Sequence, residues 1–262
     1  MSENKVIWIT GASSGIGEAC CKKFNQEGYR VILSARNKKE LTRVQSSLNY
    51  PENSQILPLD LAELGNVDEL VQKAIGLFGH VDVLLHNGGI SQRSLIHETA
   101  LDVDRRLMEV NYFGTITLTK ALLPHFIHRK KGHFGVVTSL VGKFGTPFRS
   151  SYAASKYALH GFFDTLRAEH HQDQIQVTLI CPGFIKTQVS VNALTSDGSP
   201  LNLMDDAQAN GMSPDECANQ IFQAITKQKR EVLIGGKETM GVYLKRFFPG
   251  IFAKFLTKAK VR

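Results

Sequence analysis

The chain has 262 residues, 42% of them hydrophobic, with no Pro/Gly/Ser-rich linker, which suits one compact α/β domain, residues 1–262, with a substantial core. Its four cysteines, Cys20, Cys21, Cys181 and Cys217, show neither metal-ligand spacing nor a disulfide pattern, so no metal centre is expected and a reducing cytoplasm fits. The net charge of +7 with pI near 9.2 would suit nucleic acid, but Lys245, Arg246, Lys254, Lys258, Lys260 and Arg262 crowd into residues 241–262 without an Asp or Glu; the nearly neutral remainder excludes a broad nucleic-acid-binding face.

No apolar run reaches the roughly 18 residues of a membrane span, and no signal peptide is read ahead of the first strand. A soluble or peripheral protein is expected. Val6 to Thr10 reads as a buried strand, followed by the turn Gly11-Ala12-Ser13-Ser14-Gly15-Ile16-Gly17 and a helical pattern from Glu18 to Glu27. Such glycines either make a tight connection or let the backbone approach a pyrophosphate at a helix N-terminus. The second strand, Arg30 to Ala35, ends where a carboxylate would bind the ribose of NAD. Here stand Ala35 and Arg36, so either NADP(H) is the cofactor, its 2′-phosphate held by the guanidinium, or Arg36 is a surface arginine.

A helix from Lys38 to Leu48 leads to the strand Gln55–Leu59, and Asp60-Leu61 follow; Asp60 either meets an adenine amino group or caps the next helix. A helix over Val67–Phe78 precedes the strand Val81–His86, which opens into Asn87-Gly88-Gly89. A long helical segment from Asp102 to His128 carries Asn111 in its middle. The apolar run Phe134–Thr138 delivers Ser139 to the rim of a sheet. The helix holding Tyr152 runs to His171, and the strand Gln176–Cys181 ends in Pro182-Gly183-Phe184-Ile185-Lys186-Thr187. This alternation of strands and helices, about seven strands in all, predicts a doubly wound parallel sheet with ligands at the carboxyl ends of its strands.

Tyr152 and Lys156 are four residues apart and share a helix face. A tyrosine near pKa 10 is a poor acid or base at neutral pH, and a fixed cation nearby brings that value down. Ser139 offers a third polar group.

The order of these motifs resembles the short-chain dehydrogenase/reductase family, whose fold is Rossmann-like with helices on both faces of about seven strands. The resemblance covers residues 5 to about 190. It implies a cofactor site at Gly11, Ser13, Ser14, Gly15, Ile16, Gly17, Arg36, Asp60, Leu61, Asn87, Gly88, Tyr152, Lys156, Pro182, Gly183, Ile185 and Thr187. It also implies a catalytic tetrad of Asn111, Ser139, Tyr152 and Lys156. The family usually has Asn-Asn-Ala-Gly where this chain has His86-Asn87-Gly88-Gly89. The run Asn87–Leu95, with Leu101-Asp102-Val103 and Asn111–Thr115, is similar to the dehydrogenase/reductase member 7 branch, which implies a lipophilic carbonyl or alcohol substrate such as a steroid, retinoid or xenobiotic. Those relatives generally carry a hydrophobic N-terminal anchor that is not read here. A homodimer or homotetramer is expected.

Two segments remain. The stretch Leu140–Phe148, Phe184 and an insertion at 188–212 are expected to wall the substrate site, through Ser139, Leu140, Val141, Phe148, Tyr152 and Phe184; the same apolar residues also suit a lid packed on the domain. In the basic segment 241–262, Tyr243, Phe247, Ile251 and Phe255 form one four-residue series and Leu244, Phe248, Phe252 and Leu256 its neighbour. This amphipathic stripe, broken at Pro249-Gly250, packs on its own domain or a sister subunit, or lies in a lipid interface.

Overall fold

A computed structural model describes residues 5–257. Seven strands, β1 Val6–Thr10, β2 Arg30–Ser34, β3 Ser54–Ile56, β4 Val83–His86, β5 Gly132–Val137, β6 Ile175–Pro182 and β7 Glu231–Ile234, form one sheet. Their spatial order is β3-β2-β1-β4-β5-β6-β7, and every neighbouring pair is parallel. The sheet is doubly wound, as its alternation with helices predicts.

Successive side chains of a strand point to opposite faces, so both faces need cover. Ile7, Ile9 and Leu33 join Phe24 of α1 (Gly15–Gln26), Val44 of α2 (Lys38–Ser46) and Ile221 of α8 (Pro214–Thr226) on one side. On the other, Val6, Trp8, Leu84 and Phe134 meet Val71 of α3 (Val67–Phe78), Leu122 of α5 (Gly114–Arg129) and Phe163 of α6 (Ser150–Glu169). Burial on both faces explains the near-continuous apolar reading of these strands. The remaining helices are α4 (Leu101–Met108), α7 (Asp206–Ala209), α9 (Met240–Phe247) and α10 (Pro249–Leu256).

Three local expectations are settled differently or more sharply. The edge strand β3 ends at Ile56, although Leu57 and Leu59 still donate to Leu33 and Ala35 carbonyls at 2.9 and 3.2 Å, which leaves Pro58, with no N–H, facing the open edge. Asp60 caps no helix: its Oδ1 accepts from Ala62 N at 2.9 Å, and Asn66 caps α3 instead. The long helix expected over 102–128 is interrupted by a π-helical stretch, Glu109–Phe113, which contains Asn111. Such stretches mark places where a helix bends around a local demand; here the Asn111 amide is bonded outside its own helix, as described below. Residues Lys258, Lys260 and Arg262 of the basic segment lie outside the described residues.

Candidate functional site

The carboxyl ends of β1, β4, β5 and β6 converge where strand order reverses, the position at which such sheets bind ligands. After Thr10 the chain turns through Gly11 and Gly15, at φ 65° and 55°, a left-handed backbone that favours glycine. Ser14 caps α1 in extended backbone without a side-chain bond to its amides. Gly17 serves packing: a Cβ there would strike the Gly11 carbonyl and the Asn87 amide. Asn87 latches the loop after β4 to this turn. Its Nδ2 donates to Thr10 O and Gly11 O, both at 3.1 Å, while Thr10 Oγ1 accepts from Asn87 N and Gly88 N at 3.1 and 3.0 Å.

Over this turn runs a groove of about 900 Å³. Gly11, Ser13, Ser14, Gly15, Ile16, Arg36, Asp60, Leu61, Asn87, Gly88, Tyr152, Lys156, Pro182, Gly183, Ile185 and Thr187 line it, and Gly17 does not. Cβ atoms at Gly11 and Gly15 would close to 2.8 and 3.0 Å on Gly88 and Thr187, so the chain keeps this surface bare. A glycine cradle at a helix N-terminus fits a pyrophosphate. Arg36 is exposed at the rim and forms no ion pair among the described residues.

The chemistry-bearing side chains stand at the inner end. Buried residues of α6 recur as Lys156, Leu159, His160 and Phe163, so Lys156 lies on the face toward the sheet. Its Nζ donates to Val137 O at 2.9 Å and stands 5.9 Å from the Tyr152 ring centre. Burial pushes its pKa down to about 8. Ser139 follows β5; its Oγ accepts from Val141 N at 3.3 Å and donates to Pro182 O at 3.4 Å. Asn111 lines neither this groove nor the cavity below. Its Oδ1 accepts from Ile90 N at 2.8 Å, and its Nδ2 donates to Ile90 O and Ser155 Oγ at 2.9 and 3.0 Å.

The electrostatics of Tyr152 correct one expectation. Its pKa is raised, because burial among protein atoms outweighs a hydrogen bond with Ser139 and the charges of Arg93 and Arg149 that draw it down. The cations that act on the phenol therefore include two arginines with no assigned role in the sequence reading, and Lys156 does not bring the value below the ordinary one. His86, in place of the usual asparagine, is buried against Phe134 and Phe163 and bonded to Thr119 Oγ1 at 2.8 Å. Burial and the Lys156 charge hold it neutral, with its pKa pushed down to about 3.

A second cavity, about 690 Å³, opens on the other side of Tyr152. Of the residues expected to contact substrate, Ser139, Leu140, Val141, Tyr152 and Phe184 line it, together with Phe144, Tyr243, Phe247, Phe252 and Phe255. Phe148 does not line it. With φ 65° the backbone there swings toward the loop after β4, where Phe148 O accepts from Ser94 N at 3.2 Å, and Thr146 and Arg149 reach the wall instead. The sequence reading also missed a buried charge cluster. Arg93 donates through Nε and Nη2 to Asp205 Oδ2 at 2.9 and 2.6 Å, and Arg149 Nη2 reaches the same oxygen at 3.3 Å. Arg93 and Asp205 are 112 residues apart, so no local pattern joins them. Among the described residues no cluster of His, Cys, Asp or Glu suits a metal ion.

This is the architecture of a dinucleotide-binding oxidoreductase. The family model described as short chain dehydrogenase matches residues 5–197, and the chain belongs to that family. The chain is 42% identical over 266 residues to the Drosophila melanogaster dehydrogenase/reductase SDR family protein 7-like, covering 98% of this chain and 81% of the relative. The Mus musculus dehydrogenase/reductase SDR family member 7B is 42% identical over 259 residues, at 97% and 80% coverage. A solved short-chain dehydrogenase from Streptomyces avermitilis superposes with a TM-score of 0.82 at 27% identity, covering 97% of this chain and 96% of that one. Within the family the chain falls in the dehydrogenase/reductase member 7 branch.

Proposed function

We propose that this protein is an NADP(H)-dependent oxidoreductase that interconverts a carbonyl and an alcohol on a lipophilic small molecule, with Tyr152 as general acid and base. One observation carries the reading: Ser139 and Tyr152 line both the glycine-turn groove and the apolar cavity. Their hydroxyls stand at the junction of a dinucleotide-sized groove and a cavity walled by aromatic and aliphatic side chains.

A bound nicotinamide supplies or accepts the hydride. In the reducing direction Tyr152 Oη donates its proton to the substrate oxygen, and Ser139 Oγ donates a hydrogen bond to the same atom. The phenolate left behind is favoured by the arginine cluster, in which two guanidiniums share the single carboxylate of Asp205. Ala35 and Arg36 support NADP(H): no carboxylate stands there to repel a 2′-phosphate, and the guanidinium is open to solvent beside the groove.

The C-terminal helices support a route for the substrate. Tyr243, Phe247, Phe248 and Phe255 wall the cavity yet remain exposed, and Met240 and Ile251 beside them are 67% and 61% exposed. Leu244, Phe252 and Leu256 also reach the cavity but are more buried, packed with Leu140, Phe144 and Cys181. The apolar stripe thus divides: one side seats the helices on their own domain and the other faces outward. Arg246 and Lys254 flank the outward side without an acidic residue in 240–257. We infer that this face rests on an anionic lipid surface.

The test of the activity is multiple turnover. Purified protein with NADPH or NADH and a panel of apolar ketones and aldehydes should consume NADPH catalytically. Dinucleotide binding without turnover across the panel would turn the reading into a non-catalytic dinucleotide sensor.

A further inference from the structure

A helix opens with amide N–H groups that no intrahelical carbonyl reaches. In α6 Ala153 N already donates to Arg149 O at 2.8 Å, which leaves the amides of residues 150–152 ahead of that bond. The capping residue Arg149 offers no side-chain acceptor. Gln92, from the loop after β4, fills the position. Its Oε1 accepts from Ser151 N at 3.0 Å and from Tyr152 N at 3.4 Å.

The rest of the Gln92 amide is equally engaged. Nε2 donates toward Ser94 Oγ and Thr99 Oγ1, each at 3.1 Å, and Ser150 Oγ at 3.2 Å. The backbone amides it faces can only donate, so the orientation of the side-chain amide follows from its partners. The side chain is fully buried, where an unpaired amide would be costly. Its main chain is held from the other side by the insertion: Leu194 N donates to Ser91 O and Arg93 N to Leu194 O, both at 2.8 Å. One residue therefore joins the loop after β4, the substrate-side insertion and the first turn of the helix that carries Tyr152.

We propose that Gln92 is the positioning residue of Tyr152, setting the phenol against Ser139 and coupling its placement to the insertion around Leu194. The proposal rests on the reading of Tyr152 as proton donor. Gln92 itself lines neither cavity, so it acts through the helix.

The test compares Gln92→Leu, which keeps bulk without an acceptor, with Gln92→Glu, which keeps the acceptor oxygen at a helix N-terminus that favours negative charge and puts in place of Nε2 a second oxygen to which the Ser94, Thr99 and Ser150 hydroxyls can donate. NADPH affinity, read by fluorescence titration, should be unchanged in both. In Gln92→Leu kcat should fall by about a hundredfold, the cost of a displacement of about 1 Å, with KM little altered, and Gln92→Glu should recover most of it. Backbone amide exchange at Ser151 and Tyr152 should be slow in the parent and in Gln92→Glu and fast in Gln92→Leu. A Gln92→Leu protein that melts earlier but keeps the parental kcat and pH profile would reduce Gln92 to a structural cap and overturn the proposal, as would a Gln92→Glu protein as slow as Gln92→Leu. If the parent turns over no carbonyl with NADPH, the proton-donor reading fails separately; equal amide exchange in all three proteins would then sink the Gln92 clamp on its own terms.

Discussion

Tyr152 and Arg36 illustrate two ways a single side chain reaches a bound molecule, one half-buried between two cavities and one open at a groove rim. Tyr152→Phe removes a hydroxyl and little else, so it should abolish most carbonyl reduction while NADPH binding persists. Near-parental turnover in that variant, with binding confirmed, would remove Tyr152 from the chemistry. Arg36→Ala should act on the other end of the cofactor. A hydrogen bond to a charged group is worth about 1.5–3 kcal/mol, so the ratio of kcat/KM for NADPH over NADH should drop by roughly one to two orders of magnitude. If the unmodified protein uses both cofactors equally, Arg36 is only a surface residue.

Three elements carry buried histidines that bear on acid stability. His86 on β4 is pushed down to about 3, and His133 on β5 and His160 on α6 to about 4, in each case chiefly by burial. In the unfolded chain these rings take a proton near pH 6.5, while the folded sites refuse it until pH 3 or 4. The unfolded state therefore binds more protons across this window, and stability falls as pH drops below about 6.5. Each ring adds a slope of about 1.4 kcal/mol per pH unit. Thermal melts taken from pH 7 to pH 4 should show a steep decline below pH 6, flattened in His86→Asn, whose amide can still meet Thr119. A melting temperature that holds steady from pH 7 to pH 5 would refute the account.

At the scale of the whole molecule, the outward face of α9 and α10 makes the cavity mouth and the apolar surface one continuous region. Vesicles containing phosphatidylserine should sediment the protein at low salt and release it at high salt. Arg246→Glu, Ile251→Asp and Lys254→Glu together should abolish sedimentation while turnover of a water-soluble aldehyde persists, since none of the three lines the cavity. Lys245 is left in place because its Nζ bonds Tyr157 Oη at 2.5 Å and Lys143 O at 3.1 Å, tying α9 to α6. Equal sedimentation of the two proteins would refute the lipid contact. A concentration-dependent dimer of the parent that these substitutions dissolve would mean that the face meets a second copy.

The sequence by itself determined the parallel sheet, the glycine turn and the Tyr152/Lys156 pair, because each is written in local signals: continuous apolar strands, turn residues and a four-residue helical spacing. Six of the seven strands could be placed by residue; β7, a short edge strand half-exposed at its start, has too little apolar pattern to announce itself. What only the tertiary structure decided rests on contacts between distant segments. Asn111 is singled out in the sequence only by the family resemblance, and what it holds is seen only where the Ile90 backbone bonds both ends of its amide. Gln92 and Asp205 carry no periodicity of their own, and their importance comes from amides and guanidiniums delivered by other elements. The pKa of Tyr152 was decided the same way: a neighbouring lysine suggests a lowered value, but desolvation depends on how completely the fold surrounds the phenol, and that is a property of packing in three dimensions.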